Sequence, residues 1–230
     1  LALAGRRQPA IVHALVFMIN SALHNVGRTV TYQDFTDSAL PRSKDIARLA
    51  ASLKNNEIST LIIAGGNPGY SAPRDVDFAS HMKNADHIIH CGYYEDETAE
   101  ESEWHVPLAH FLESWGDARA YDGTLSVIQP LIAPLFDGHS LSEAMHLIVT
   151  GENSRGYDLV RETWREILGD AGFEEKWNRI LHDGLLSGSA FAETAPPENR
   201  TSYAAALNDA SFAAPELSAG SLELNFHPSP

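Results

Sequence analysis

The residues best suited to chemistry gather in two stretches. The first is Gly65-Gly66-Asn67-Pro68-Gly69, which follows the apolar run from Ser59 to Ala64. Consecutive glycines let a backbone approach a ligand closely, and a helix N-terminus behind them favours an anion. At the carboxyl end of a parallel strand, such a turn stands where α/β folds bind nucleotides. The spacing is neither Gly-x-Gly-x-x-Gly nor a Walker loop, so a tight turn without a ligand is an equal reading. The second stretch holds Glu95, Asp96, Glu97, Glu100, Glu101 and Glu103, with His105 and His110. Zinc or manganese would accept such donors. No His-x-x-x-His or Glu-x-x-His spacing occurs within it, and acidic runs are more often simply solvated.

Cys91 is the only cysteine. An internal disulfide, a four-thiolate iron–sulfur cluster and a cysteine-based zinc site are therefore excluded within this chain. It ends the run Ile88-Ile89-His90 and reads as a buried strand residue. The 11 histidines are scattered, and no Gly-x-Ser-x-Gly elbow exists, so no catalytic residue is assigned. Trp104, Trp115 and Tyr121 lie near Gly116 and Gly123. They either pack beneath a long segment or line a planar ligand or partner surface.

The formal charge of −15 argues against nucleic acid as a partner, because phosphate neutralisation needs clustered Lys and Arg. It is compatible with a basic partner. The longest apolar stretch, Ala10 to Ile19, is interrupted by His13 and falls short of the roughly 18 residues of a membrane span. Arg6 and Arg7 give it the look of a signal-peptide core, but Pro9 and the internal polar residues favour a buried helix.

These groups need elements to hold them. A helix from Ala10 to Asn25 is expected between Pro9 and Gly27, apolar on nearly every face, followed by an extended segment from Thr29 to Tyr32. Ser43 suits the cap of a helix carrying Ile46, Leu49, Ala50 and Leu53 on one face. The strand before Gly65, a helix from Pro73 to about Lys83 and a strand from Asp86 to Gly92 complete the order of a parallel sheet with crossovers. Tyr93 to Gly138 shows no sustained periodicity and reads as a long irregular, ordered segment. Ser140-Leu141-Ser142-Glu143 is a capping box, and two amphipathic helices follow, one carrying Tyr157, Val160, Trp164 and Ile167, the other Phe173, Trp177, Ile180 and Leu181. Beyond Gly184 an extended or poorly ordered arm is expected, with a strand at Ser221–Phe226. The expected divisions are residues 1–150, an α/β domain, 151–184, a helical extension, and 185–230, the arm. A lone terminal strand suggests a fragment of something larger.

The segment Ala64-Gly65-Gly66-Asn67-Pro68, then Tyr94-Glu95-Asp96-Glu97-Thr98, then Trp104-His105-Val106-Pro107, resembles the molybdopterin oxidoreductase family, with Glu113, Gly116 and Gln129 in matching order. The block His110–Thr124, with Gln129–Leu135 and the opening helix, is more similar to one branch, the molybdopterin-like iron–sulfur subunit of alternative complex III. The likeness covers roughly residues 8–150. It implies a Rossmann-like parallel sheet flanked by helices, of the formate dehydrogenase/DMSO reductase-like type.

It also implies an electron-transfer role on the periplasmic face of a bacterial inner membrane, in a quinol-oxidising complex. The partners implied are a cluster-bearing domain, a cytochrome c and a membrane quinol subunit, with iron–sulfur clusters elsewhere in the parent protein. In that branch the domain is thought to hold no molybdenum cofactor, and the chain's task would be structural. The Glu-Gly-Arg pattern of true molybdoenzymes is missing, with Asp122-Gly123-Thr124 upstream of Gln129 instead, and arginine is the natural partner of a cofactor phosphate. The alternative is a catalytic molybdoenzyme fragment binding a molybdopterin guanine dinucleotide. Gly65, Gly66, Asn67, Pro68, Glu97 and Thr98 would then line the nucleotide half.

Overall fold

The computed structural model describes residues 1–5, 8–33, 43–194, 218 and 220. In chain order the elements are α1 (Ala10–Ala22), β1 (Tyr32–Gln33), α2 (Ser43–Lys54), β2 (Thr60–Ala64), α3 (Pro68–Ser71) and α4 (Phe78–Met82). They continue with β3 (His87–Gly92), α5 (Glu97–Glu100), β4 (Trp104–Pro107), β5 (Gly116–Arg119), β6 (Leu125–Ile128), α6 (Leu141–Thr150), α7 (Gly156–Leu168), α8 (Phe173–Asp183) and β7 (Glu193–Thr194). The backbone forms two compact units, Leu1–Asp34 with Ala192–Pro230, and Phe35–Phe191. The expected divisions at 150 and 184 do not coincide with these limits.

In the first unit α1 is shorter than expected, ending at Ala22, with His24 in the left-handed region (φ 54°). Asn20, buried near its end, accepts from Ala2 N–H at 2.9 Å and donates to the Ala2 carbonyl at 2.8 Å. Of the helix, only Ile11 and Asn20 are buried, rather than several faces. The extended segment expected over Thr29–Tyr32 forms a strand at Tyr32–Gln33, antiparallel to β7 with Tyr32 opposite Thr194.

The second unit is mixed α/β, with a parallel three-stranded sheet in the order β2-β3-β4 flanked by helices. Strand alternation sends Leu61, Ile63 and Ile88 to one face. There they pack with Ala50 and Leu53 of α2 and with Phe78 and Met82 of α4, all buried. The other face carries Ile62, Ile89, Trp104 and Val106, and its cover is thinner: Ile89 is half-buried and Trp104 is 64% exposed. Cys91 on that face is fully buried, as expected, and burial raises its thiol pKa.

Two expectations are corrected. The helix from Pro73 to Lys83 is broken into a 3-10 turn, Arg74–Val76, and α4, because Asp77 stands in the left-handed region (φ 48°). Aspartate tolerates that conformation better than most residues, and here its carboxylate accepts from the Ser80 hydroxyl at 2.9 Å. The segment Tyr93–Gly138 is not irregular throughout, since it supplies α5, β4, β5 and β6. Each of those strands has 4 residues, too few for a period of two to stand out.

β5 and β6 form an antiparallel hairpin against α7 and α8. Val127, Val160, Trp164, Phe173, Trp177 and Ile180 make a second buried cluster there. Of the apolar faces expected for these helices, Val160, Trp164, Phe173, Trp177 and Ile180 are buried and Tyr157 and Leu181 pack against them, whereas Ile167 is 45% exposed. α6 begins at the predicted capping box, in which Glu143 N–H donates to Ser140 Oγ at 3.2 Å and Ser140 N–H donates to the Glu143 carboxylate at 2.7 Å. α2 begins at Ser43, whose side chain lies outside the described residues, as do the strand expected at Ser221–Phe226 and most of the arm. No helix among the described residues is long and apolar enough to cross a membrane.

Ser140→Ala removes the hydroxyl acceptor for Glu143 N–H, while a buried turn of α6 keeps the donor. Equilibrium urea unfolding should show a loss of about 1 kcal/mol, with the denaturant slope unchanged.

Candidate functional site

β2 and β3 are parallel neighbours, so the turns after their carboxyl ends lie side by side. Gly65 N–H extends the ladder by donating to the Cys91 carbonyl at 2.8 Å. Gly65 and Gly66 then take φ of 80° and 76°, with open space where a Cβ would stand. Glycine is required there by backbone conformation, not by crowding. Asn67 caps α3 by accepting from Tyr70 N–H at 3.3 Å, and Pro68 occupies the first helical turn.

The two turns are tied by side chains. Asn67 Nδ2 donates to Glu97 Oε2 at 2.6 Å, and Thr98 Oγ1 donates to Asn67 Oδ1 at 2.7 Å. Gly69 N–H in turn donates to Thr98 Oγ1 at 2.9 Å. Thr98 has no exposed surface, and a Cβ on Gly69 would meet its hydroxyl at 3.1 Å. Asp96 fixes the second turn by accepting from Thr98 N–H at 3.1 Å and Ala99 N–H at 3.0 Å. Gly65, Gly66, Asn67, Pro68, Glu97 and Thr98 thus form one place.

A histidine beneath this turn was not singled out from the sequence. His90 is fully buried on β3, and its Nε2 donates to the Gly66 carbonyl at 3.1 Å. In the neutral ring Nδ1 is then the acceptor, and it meets His105 Nδ1 of β4 at 3.2 Å. The Asp96 carboxylate lies 3.9 Å away. Gly92 makes room for the ring, since a Cβ there would fall 2.5 Å from His90 Cε1. The signal in the sequence was the alternation Ile88, His90, Gly92, which puts a polar ring on a core-facing position.

Electrostatically the site is acidic. Glu97 is exposed, and the Asn67 amide donating to it lowers its pKa below the ordinary carboxylate value. None of the described lysines and arginines is ion-paired with it; the neighbouring acids have other partners, Glu101 with Lys83 at 2.8 Å and Glu103 with His87 at 2.7 Å. The Glu103 contact raises the His87 pKa. Among the described residues no three His, Cys, Asp or Glu side chains come together to hold a metal ion. The backbone N–H groups of Gly66 and Asn67 make no hydrogen bond to another described residue. Two free donors beside a carboxylate suit a polar ring edge bearing donors and acceptors better than a bare phosphate.

The aromatic residues singled out from the sequence divide. Trp115 packs on the second core, edge-on to Tyr157 with ring centres 4.9 Å apart, whereas Tyr121 is 92% exposed and Trp104 lies on β4 with most of its indole open. Glu113 braces two loops, accepting from His110 N–H at 3.0 Å and Leu135 N–H at 3.3 Å. No protein-family model matches the chain, and no curated protein matches it.

The Glu97 carboxyl should titrate below the ordinary glutamate value and move back towards it in Asn67→Ala, as followed by carboxyl-carbon NMR. Its lowered pKa adds stability above the unfolded-state value and loses it as pH falls through the folded one. Thr98→Val should destabilise by about 1–3 kcal/mol in chemical unfolding, because Gly69 N–H loses its acceptor and Asn67 Oδ1 one of its donors.

Proposed function

We propose that this chain is part of a redox subunit of a bacterial, membrane-associated, quinol-oxidising electron-transfer complex, resembling the molybdopterin-like subunit of alternative complex III. Its own role is structural and free of cofactor. It docks the cluster-bearing domain, the cytochrome c and the membrane quinol subunit at the periplasmic face of the inner membrane. Iron–sulfur clusters elsewhere in the parent protein carry the electrons, and no catalytic residue is assigned here.

The observation that carries the docking role is an ordered apolar surface on the stretch with the most specific resemblance. Phe111, Leu131, Ile132, Leu135 and Phe136 are all at least half exposed. Leu131 N–H donates to the Leu112 carbonyl at 2.8 Å, and Glu113 holds Leu135, so the presentation is built. Large apolar side chains held exposed in this number are what a protein contact would cover. The cofactor-free part rests on the Gly65 turn. Asn67 is occupied by Glu97, Thr98 and Tyr70, and an unpaired carboxylate stands where a nucleotide phosphate would need a cation.

The second reading, a domain of the formate dehydrogenase/DMSO reductase-like type holding the guanine nucleotide of a molybdopterin cofactor, is favoured by one feature. The backbone N–H groups of Gly66 and Asn67 make no hydrogen bond to another described residue. Gly65, Gly66, Asn67, Pro68, Glu97 and Thr98 would be the residues in contact.

Elemental analysis and pterin extraction decide between the two. In the intact parent protein, made with its own targeting signal in a molybdate-replete host, iron should be present and molybdenum and pterin absent. Near-stoichiometric molybdenum with pterin would overturn the cofactor-free role and make the Gly65 turn a nucleotide site.

A further inference from the structure

A cavity of about 490 Å³ opens between α6 and the thinly covered face of the sheet, away from the Gly65 turn. Its walls are Ile89, Trp104 and Val106 from β3 and β4, and Ala144, Leu147 and Ile148 from α6. The volume lies within the range of small-molecule sites, which are apolar concavities with a few converging polar groups. The polar lining divides into groups already engaged and groups still available. Glu143 accepts from Ser140 N–H and, at 2.7 Å, from Gly156 N–H. Arg155 makes a two-point pair with Asp158 at 2.7 and 3.1 Å, and Ser154 Oγ meets His146 Nε2 at 3.1 Å. The side chains of His139 and Asn153, also at the cavity, make no hydrogen bond to another described residue.

We infer that this cavity binds an uncharged planar ring compound, its ring against the Trp104 indole and the walls of α6, its polar edge on His139 and Asn153. Each element of the class follows from the lining. The open indole face favours a flat ring. The one arginine is neutralised by Asp158, so an anion gains no cation, and the Glu143 charge opposes it further. A ligand without any polar group would leave the imidazole and amide desolvated and unpaired. The proposal uses neither the Gly65 turn nor the docking surface, so it stands or falls apart from the function proposed above.

The test uses 1-naphthol as probe with the full chain, followed by calorimetry and naphthol fluorescence. Saturable binding with one site per chain is expected, weakened at least tenfold in Trp104→Ala and in Ile148→Glu and within about threefold of the parent in Trp104→Phe. The anion 1-naphthoate should bind at least tenfold more weakly. Trp104 is 64% and Ile148 38% exposed, so these variants should keep the parent's circular dichroism and melting temperature. Binding that survives both Trp104→Ala and Ile148→Glu would overturn the assignment, as would naphthoate binding as tightly as naphthol. Absence of saturable naphthol binding overturns it too; a shift in oligomeric state in Ile148→Glu would then mark the cavity as a contact between copies.

Discussion

The hydroxyl of Thr98 has no access to water, and it accepts from Gly69 N–H while donating to Asn67. A buried hydroxyl with its hydrogen bonds made is close to neutral in energy, but one left unpaired is costly, so the two turns it joins can only move together. Parallel pairing puts those turns side by side, the Asp96 cap holds Thr98 in place, and His90 braces the Gly66 carbonyl from below. The left-handed glycines can therefore be held with few contacts of their own. The same tie leaves Glu97 pointing to solvent as an exposed negative charge and gives the site its acidic character.

The sheet is asymmetric. One face is closed by α2 and α4 over Leu61, Ile63 and Ile88. The other is covered in part by α6, which follows the parallel bridge of Leu108 to His139. The cavity beside Trp104 is a consequence: α6 starts where its capping box and that bridge fix it, and its apolar side does not reach the sheet along its full length. The second core, in which Trp164 and Trp177 fill the space between the hairpin and α7 and α8, is built separately within the same unit.

The exposed apolar residues from Phe111 to Phe136 behave differently from the cavity. They are exposed on loops braced by Glu113 and by backbone hydrogen bonds. The cavity is concave, its one arginine is paired with Asp158 and its Glu143 is held by backbone N–H groups, which suits an uncharged small molecule.

By itself the sequence determined the strands at Thr60–Ala64 and His87–Gly92, the helix faces around Leu53, Trp164 and Trp177, the α6 capping box and the glycine turn. These signals are local: a run of β-branched residues, a period of 3.6, or a cap and its partner three residues on. The irregular reading of Tyr93–Gly138 failed because strands of 4 residues show no pattern until a neighbour pairs with them. Only the tertiary structure decided that Asn67 and Thr98, 31 residues apart, share a hydrogen bond, and that Glu101 and Glu103 answer Lys83 and His87. The burial of His90 beneath Gly66 and the exposure of Trp104 were settled there as well, because each depends on which strand lies alongside and which face a helix covers.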